Sequence, residues 1–163
     1  MIRSMIALIL FSVLAACSTP GKHSSSAQEQ VVGITKMCAE NANAIKKRQE
    51  EKSLYSRLGG KEGIEKFNSR LYETHKSNEK IGHLFAHVPE QPFVSNVANF
   101  LVAHSGGGGE YTGRTMEQVH NNLGITHEDF LTAGGDVQSV MKELGAGENE
   151  VQEAVCFLAS FIP

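Results

Sequence analysis

The stretch Gly108–Thr126 reads GGEYTGRTMEQVHNNLGIT, and its local pattern decides how the rest of the chain is read. Thr115 followed by Gln118 is a capping box, in which the two side chains satisfy each other's free amides at a helix start. Met116, Val119, His120 and Leu123 follow at spacings that place them on one face, and Gly124 closes the segment. The segment is therefore a short capped helix with a histidine among apolar side chains on an inner face. Spacing alone leaves two readings open, a satisfied core histidine or a metal ligand.

Outward from this helix the pattern stays helical. On the N-terminal side the glycines 106–109 end a helix opened by Pro89 and Pro92, since successive glycines carry the highest backbone entropy cost. Phe93, Val97, Phe100, Leu101 and His104 share its apolar, aromatic face. Gly59 and Gly60 separate a turn at Leu54–Leu58 from a helix over Lys61–Lys76, where Ile64, Phe67, Asn68, Leu71, Tyr72 and His75 keep the same spacing. A further helix over Val31–Lys52 carries a narrow stripe (Ile34, Met37, Cys38, Asn41, Ile45) and ends in a charged run, a solvated face. On the C-terminal side Thr126 with Asp129 caps a helix striped by Phe130, Val137, Val140, Met141 and Leu144. A last helix carries Val151, Ala154, Val155, Leu158 and Ile162 on one face, with Cys156 on its flank, where the helix bearing Cys38 has room to cross. No segment alternates apolar and polar residues with β-branched enrichment, so the expected fold class is all-α.

The 163 residues, 40% hydrophobic and 20% charged, suffice for one core plus an extension. Fifteen Lys and Arg against 18 Asp and Glu give a charge of -3, or -4 without Arg3, and no basic face, which excludes nucleic acid as an expected partner. Met1–Ala16 has one positive charge and then an apolar run too short for a comfortable membrane span, which marks an export signal. Its end, Leu14-Ala15-Ala16-Cys17, resembles the lipobox of bacterial lipoproteins. That resemblance implies acylation at Cys17 and, with Ser18 following, an outer-membrane anchor that leaves the protein facing the periplasm of the cell envelope. The membrane is then a partner through the lipid anchor only. Residues 17–30 are small and polar, a flexible tether. The expected organisation is a signal peptide at 1–16, a tether at 17–30, a helical extension at 31–52 and a globular domain at 53–163. In an oxidising compartment Cys38 and Cys156 are candidates for a disulfide or for two unpaired buried thiols.

Several separated points over residues 54–163 carry a resemblance: Gly59-Gly60, Leu71-Tyr72, Leu84-Phe85, Gly108-Gly109-Glu110-Tyr111-Thr112-Gly113, Met116-Glu117-Gln118-Val119-His120 and Leu123-Gly124-Ile125-Thr126. In register, they resemble the group I truncated haemoglobins, the two-over-two globins. The resemblance implies haem b (iron protoporphyrin IX) between the helix starting near Phe93 and the helix of His120, with His120 as the proximal iron ligand. It implies cofactor contacts at Phe85, Phe93, Val97, Phe100, Leu101, Met116 and Val119, and a distal ligand pocket of Tyr72, Phe93 and Val97. Many members have glutamine at the position of Val97, so the distal pocket here is less polar and Tyr72 is its main polar group. Asn96 stands where some relatives have a sixth ligand. His104 lies on the same face beyond the expected haem edge, and His83 and His87 flank Phe85 as surface residues. The implied function is reversible binding of small diatomic ligands, oxygen or nitric oxide. Nitric oxide dioxygenation would accompany it if an unknown reductase returns the iron to the ferrous state. The alternative is a haem-based gas or redox sensor signalling to an envelope partner. The anchor is testable by itself: Cys17→Ala is expected to move the protein out of the membrane fraction or to block its processing, and membrane attachment that survives the substitution would contradict lipidation.

Overall fold

The computed structural model describes residues 25–162. The export signal at 1–16, Cys17 and the tether as far as Ser24 lie outside the described residues. Helix α1 (Ala27–Glu51) starts at a capping box in which Ser26 Oγ accepts from the Glu29 amide and Glu29 accepts from the Ser26 amide. Ala27–Gln30, expected as the end of the tether, are thus its first turn. The cap signal of Ser26 and Glu29 outweighs the polar composition.

Helix α2 (Leu54–Arg57) is one turn long and leads into α3 (Gly60–Ser77). Gly59 and Gly60 take φ of +87° and +68°, and a Cβ at Gly63 would lie 1.8 Å from the Leu58 carbonyl oxygen. Only glycines let α3 fold back this closely against the end of α2. A 3₁₀ turn at Gly82–Phe85 precedes α4 (Glu90–His104). Then follow α5 (Met116–His120), α6 (His127–Glu143), which starts at the Thr126–Asp129 box, and α7 (Glu148–Ala159). The described residues contain helices and turns and no strand.

Helix α3 pairs with α4, α6 pairs with α7, and the two pairs meet through α3 and α6. Their apolar stripes meet in a core of Leu71, Val137, Val140, Met141 and Val151. Burying each such side chain contributes about 1.5–3 kcal/mol. Helix α1 lies outside this pair of layers, across α6 and α7. None of the described helices is long and apolar enough to cross a membrane.

Two devices fix α1. The first is a disulfide between Cys38 and Cys156, whose Cα atoms are 5.3 Å apart across a sequence separation of 118. Closing so long a loop constrains the unfolded chain by about 4–5 kcal/mol in the chain-entropy account. The second is a buried polar lock on Glu153, which is 4% exposed. Arg57 Nη2 lies 2.6 Å from Glu153 Oε2, Arg57 Nη1 lies 2.5 Å from Glu150 Oε1, and Arg48 Nε is 3.5 Å from Glu153 Oε2. Gln49 Nε2 also donates to Glu153. Burial alone would lower the Arg57 pKa, but hydrogen bonds and charge from Glu153 and Glu150 outweigh it and raise it, so the guanidinium stays charged. Removing one partner leaves a buried charge underpaired. Arg57→Ala is therefore expected to cost about 3 kcal/mol in urea denaturation; a loss no larger than that of a surface substitution would show that the lock does not hold the fold.

Candidate functional site

The site starts from α5, only five residues long. The expected box is formed: Gln118 donates its amide to Thr115 Oγ1 at 3.2 Å, and Thr115 donates its amide to Gln118 Oε1 at 3.0 Å. Arg114 adds a bond to the Gln118 carbonyl. At the other end His120 Nδ1 lies 2.9 Å from the Met116 carbonyl oxygen. A carbonyl only accepts, so Nδ1 carries the hydrogen, and in the neutral ring the lone pair is then on Nε2. The spacing places Met116, Val119, His120 and Leu123 on an inner face, but in the structure only Met116 is half-buried. His120 is exposed, Val119 is 39% and Leu123 46% exposed. So short a helix, between a glycine-rich loop and Gly124, lays no face on the core helices.

On the opposite side the resemblance singles out Tyr72, Phe85 and Phe93, and the structure joins them in one run of rings. Tyr72 packs on Phe93 with centroids 5.4 Å apart, Phe93 on Phe85 at 5.8 Å, and Phe85 on His75 at 5.0 Å. The buried Tyr72 donates its hydroxyl to the Val88 carbonyl at 2.8 Å. Lys76 Nζ stands 3.3 Å from that hydroxyl and 5.3 Å from the ring centroid.

The structure has an apolar cavity of about 610 Å³ among the core helices, and Tyr72, Phe85 and Phe93 do not line it. Val97, Phe100 and Leu101 of α4 and Met116 of α5 line it; Val119 and His120 stand apart on the exposed ridge. His104 stacks on Phe100 at 4.2 Å, is bonded through Nδ1 to the Phe100 carbonyl at 2.8 Å, and also lines the cavity. His83 and His87 are exposed. No group of three or more His, Cys, Asp and Glu able to hold a metal ion occurs among the described residues.

Behind Phe85 the structure brings together residues that spacing could not pair. His75 Nδ1 lies 2.9 Å from Asp136 Oδ2, and Asn78 Nδ2 donates to both oxygens of that carboxylate at 2.9 and 3.0 Å. His75 sits on the inward stripe of α3, but its partner is 61 residues away and has no local signal. Burial pushes the His75 pKa below the ordinary imidazole value of 6.5, against the opposing hydrogen bond and charge of Asp136. As pH falls below about 6.5 the unfolded chain takes up this proton before the folded one, so native stability declines, levelling off once the folded imidazole protonates. A melting series over about pH 8 to 5 is expected to show this decline and His75→Gln to flatten it; equal slopes in both proteins would assign the decline to other groups.

The bacterial-like globin family matches residues 53–161. Among curated proteins, group 1 truncated hemoglobin GlbN of Synechocystis is 30% identical over 62% of this chain and 85% of its own length. That of Mycolicibacterium paratuberculosis is 27% identical over 72% and 86%. Among solved structures, the 2/2 hemoglobin of a Synechococcus species, in the cyanomet state and with covalently attached heme, superposes with a TM-score of 0.62. It is 22% identical and covers 65% of this chain and 89% of its own. A truncated hemoglobin variant of Tetrahymena pyriformis gives 0.61 at 19% identity, over 68% and 93%. The expected two-over-two fold is therefore the observed one, with α1 added in front of it, and the chain belongs to the bacterial-like globin family.

Proposed function

We propose that this protein binds haem through His120 and reversibly takes up a diatomic ligand, oxygen or nitric oxide. The observation that carries the reading is the His120 imidazole: its Nδ1 is engaged by the Met116 carbonyl, which in the neutral ring leaves the Nε2 lone pair available, beside the exposed apolar Val119 and Leu123. An axial histidine needs that tautomer, and a hydrogen bond on the far nitrogen makes it a stronger ligand. The surroundings fit the group: Val119 and Leu123 offer exposed apolar surface beside the imidazole, and Val97, Phe100, Leu101 and Met116 form an apolar slot.

Haem b would supply the iron at which the diatomic ligand is held, while the chain's own residues shape its surroundings. Phe85, Phe93 and Val97 keep water away from the distal side. Tyr72 has one hydroxyl proton, now on the Val88 carbonyl, so a contact with a ligand comes at the expense of that bond. Lys76 donates to the same hydroxyl oxygen and, having no acceptor, does not compete with the Val88 carbonyl for the proton. Supplied with one electron by a reductase, such a site would also convert nitric oxide and dioxygen to nitrate (NO + O₂ + e⁻ → NO₃⁻). The lipobox-like end of the leader supports an anchor at Cys17 and an envelope location. A sensor signalling through α1 would need that helix to move, and its disulfide and its lock on Glu153 favour the carrier reading.

The deciding measurement is an optical spectrum of the purified protein after haem addition, in ferric, ferrous and carbon-monoxide-treated forms, beside His120→Ala. Stoichiometric haem with histidine-type spectra in the parent, lost in the variant, is the expected result. Spectra indifferent to His120, or no specific uptake, would overturn the assignment.

A further inference from the structure

We propose that Asp136, acting through His75 and Asn78, is a positioning residue for the distal side: it fixes the segment that carries Phe85 and Val88, and so sets how the Tyr72 hydroxyl is divided between the Val88 carbonyl and a bound ligand. That the ligand is a diatomic at haem iron rests on the haem reading; the hold of the cluster on the segment does not.

The Asp136 carboxylate gathers two residues from the end of α3. His75 Nδ1 lies 2.9 Å from Oδ2 and donates to it, and Asn78 Nδ2 donates to Oδ1 and Oδ2 at 2.9 and 3.0 Å. A carboxylate has only acceptors, so every donor in the cluster meets an oxygen. Both residues pass the constraint on. The His75 ring packs on Phe85 with centroids 5.0 Å apart and planes inclined by 32°. Asn78 accepts from the Lys80 amide through its side-chain oxygen at 3.0 Å, and from the Gly82 amide through its main-chain carbonyl at 2.8 Å. The chain returns here so closely that a Cβ at Gly82 would lie 2.6 Å from the Lys76 carbonyl oxygen, and Ile81 is buried.

From this turn the constraint reaches Tyr72 along the main chain. The Leu84 amide donates to the Ile81 carbonyl at 2.9 Å, the Val88 amide donates to the Phe85 carbonyl at 3.1 Å, and the Val88 carbonyl accepts the Tyr72 hydroxyl at 2.8 Å. The rings of Phe85, Phe93 and Tyr72 run beside it as a second route. Asp136 itself belongs to α6 and does not line the cavity. Because a hydroxyl has a single proton, a displaced Val88 carbonyl releases that proton to another acceptor.

The test compares the full chain with two variants. Asp136→Asn keeps the shape but turns one acceptor into a donor, so the cluster can no longer satisfy all its bonds; His75→Gln removes the ring from Phe85. Val151→Ala, a core truncation on α7, controls for loss of stability as such. Before haem addition, hydrogen exchange at the Gly82, Leu84 and Val88 amides is expected to quicken several-fold in both variants and to stay parental in Val151→Ala. After haem addition, the ferrous protein is given carbon monoxide or oxygen. A proton turned toward bound carbon monoxide lowers its C–O stretching frequency, so freeing the Tyr72 hydroxyl is expected to lower that frequency and to slow oxygen release several-fold. In a Tyr72→Phe background, which lacks the proton, adding Asp136→Asn is expected to change neither reading; the double-mutant cycle thus ties the effect to the hydroxyl. Should Asp136→Asn not fold, His75→Gln takes its place in the cycle. Parental frequency and oxygen release in the folded, haem-loaded variants would overturn the proposal, as would an equal shift in Val151→Ala or in the Tyr72→Phe background. A parent that takes up no haem sinks the haem reading; the hold on the segment then stands if the three amides exchange faster in the variants and falls if they do not.

Discussion

A helix of five residues has too few internal hydrogen bonds to persist by propensity, and α5 does not recover the deficit by packing on the core. Its shape depends on what sits at its two ends: the reciprocal Thr115–Gln118 bonds at the start and the bond from His120 to the Met116 carbonyl at the finish. The second of these also decides the chemistry. By engaging Nδ1 it selects the tautomer and aims Nε2 away from the helix. One local hydrogen bond therefore ties the last side chain of α5 to its first carbonyl and, on the proposed assignment, also prepares the ligand nitrogen.

The core helices solve a different problem. Their apolar stripes supply the driving force, but two elements meeting through apolar surface alone can slide. Polar pairs between distant segments remove that freedom. Arg57 of α2 reaches Glu150 and Glu153 of α7, and His75 of α3 reaches Asp136 of α6. Each buried charge or ring is compensated by a partner that only the folded arrangement provides, so these pairs select the arrangement more than they drive folding. Two residues depart from this among the described ones: Asn68, fully buried on α3 with neither amide atom hydrogen-bonded, and Arg48, whose Nε faces Glu153 at 3.5 Å without a hydrogen bond.

This division explains what was legible in the sequence. Capping boxes at Thr115 and Thr126, the glycine pair at Gly59-Gly60 and the stripes of α3, α4, α6 and α7 are set by neighbours within a few residues, and all appear where the spacing puts them. The exposure of α5 was not legible, because periodicity tells which residues share a face but not what that face meets. Nor were the Asp136 partner of His75, the Val88 acceptor of Tyr72 and the place of α1 on the cavity wall, all of which depend on contacts between segments far apart in the chain. The start of α1 differs from the expected 31 for a smaller reason: the cap formed by Ser26 and Glu29 outweighs the polar composition of residues 27–30.

Order is thus distributed unequally around the cavity. On the α1 side the wall is fixed by a covalent bond and a buried ionic lock, neither of which needs a ligand. On the α5 side the wall is a capped turn with exposed Val119 and Leu123, ahead of which runs a loop of four glycines. Such an asymmetry suits the cofactor proposed above, which would enter on the less fixed side and contribute its own binding energy there. Whatever binds the folded form and not the unfolded one stabilises it in proportion to the logarithm of its concentration over its dissociation constant. With haem bound as proposed, the side of the site that bears His120 would take its rigidity from its occupant, whereas the side closed by α1 holds its shape by its own bonds.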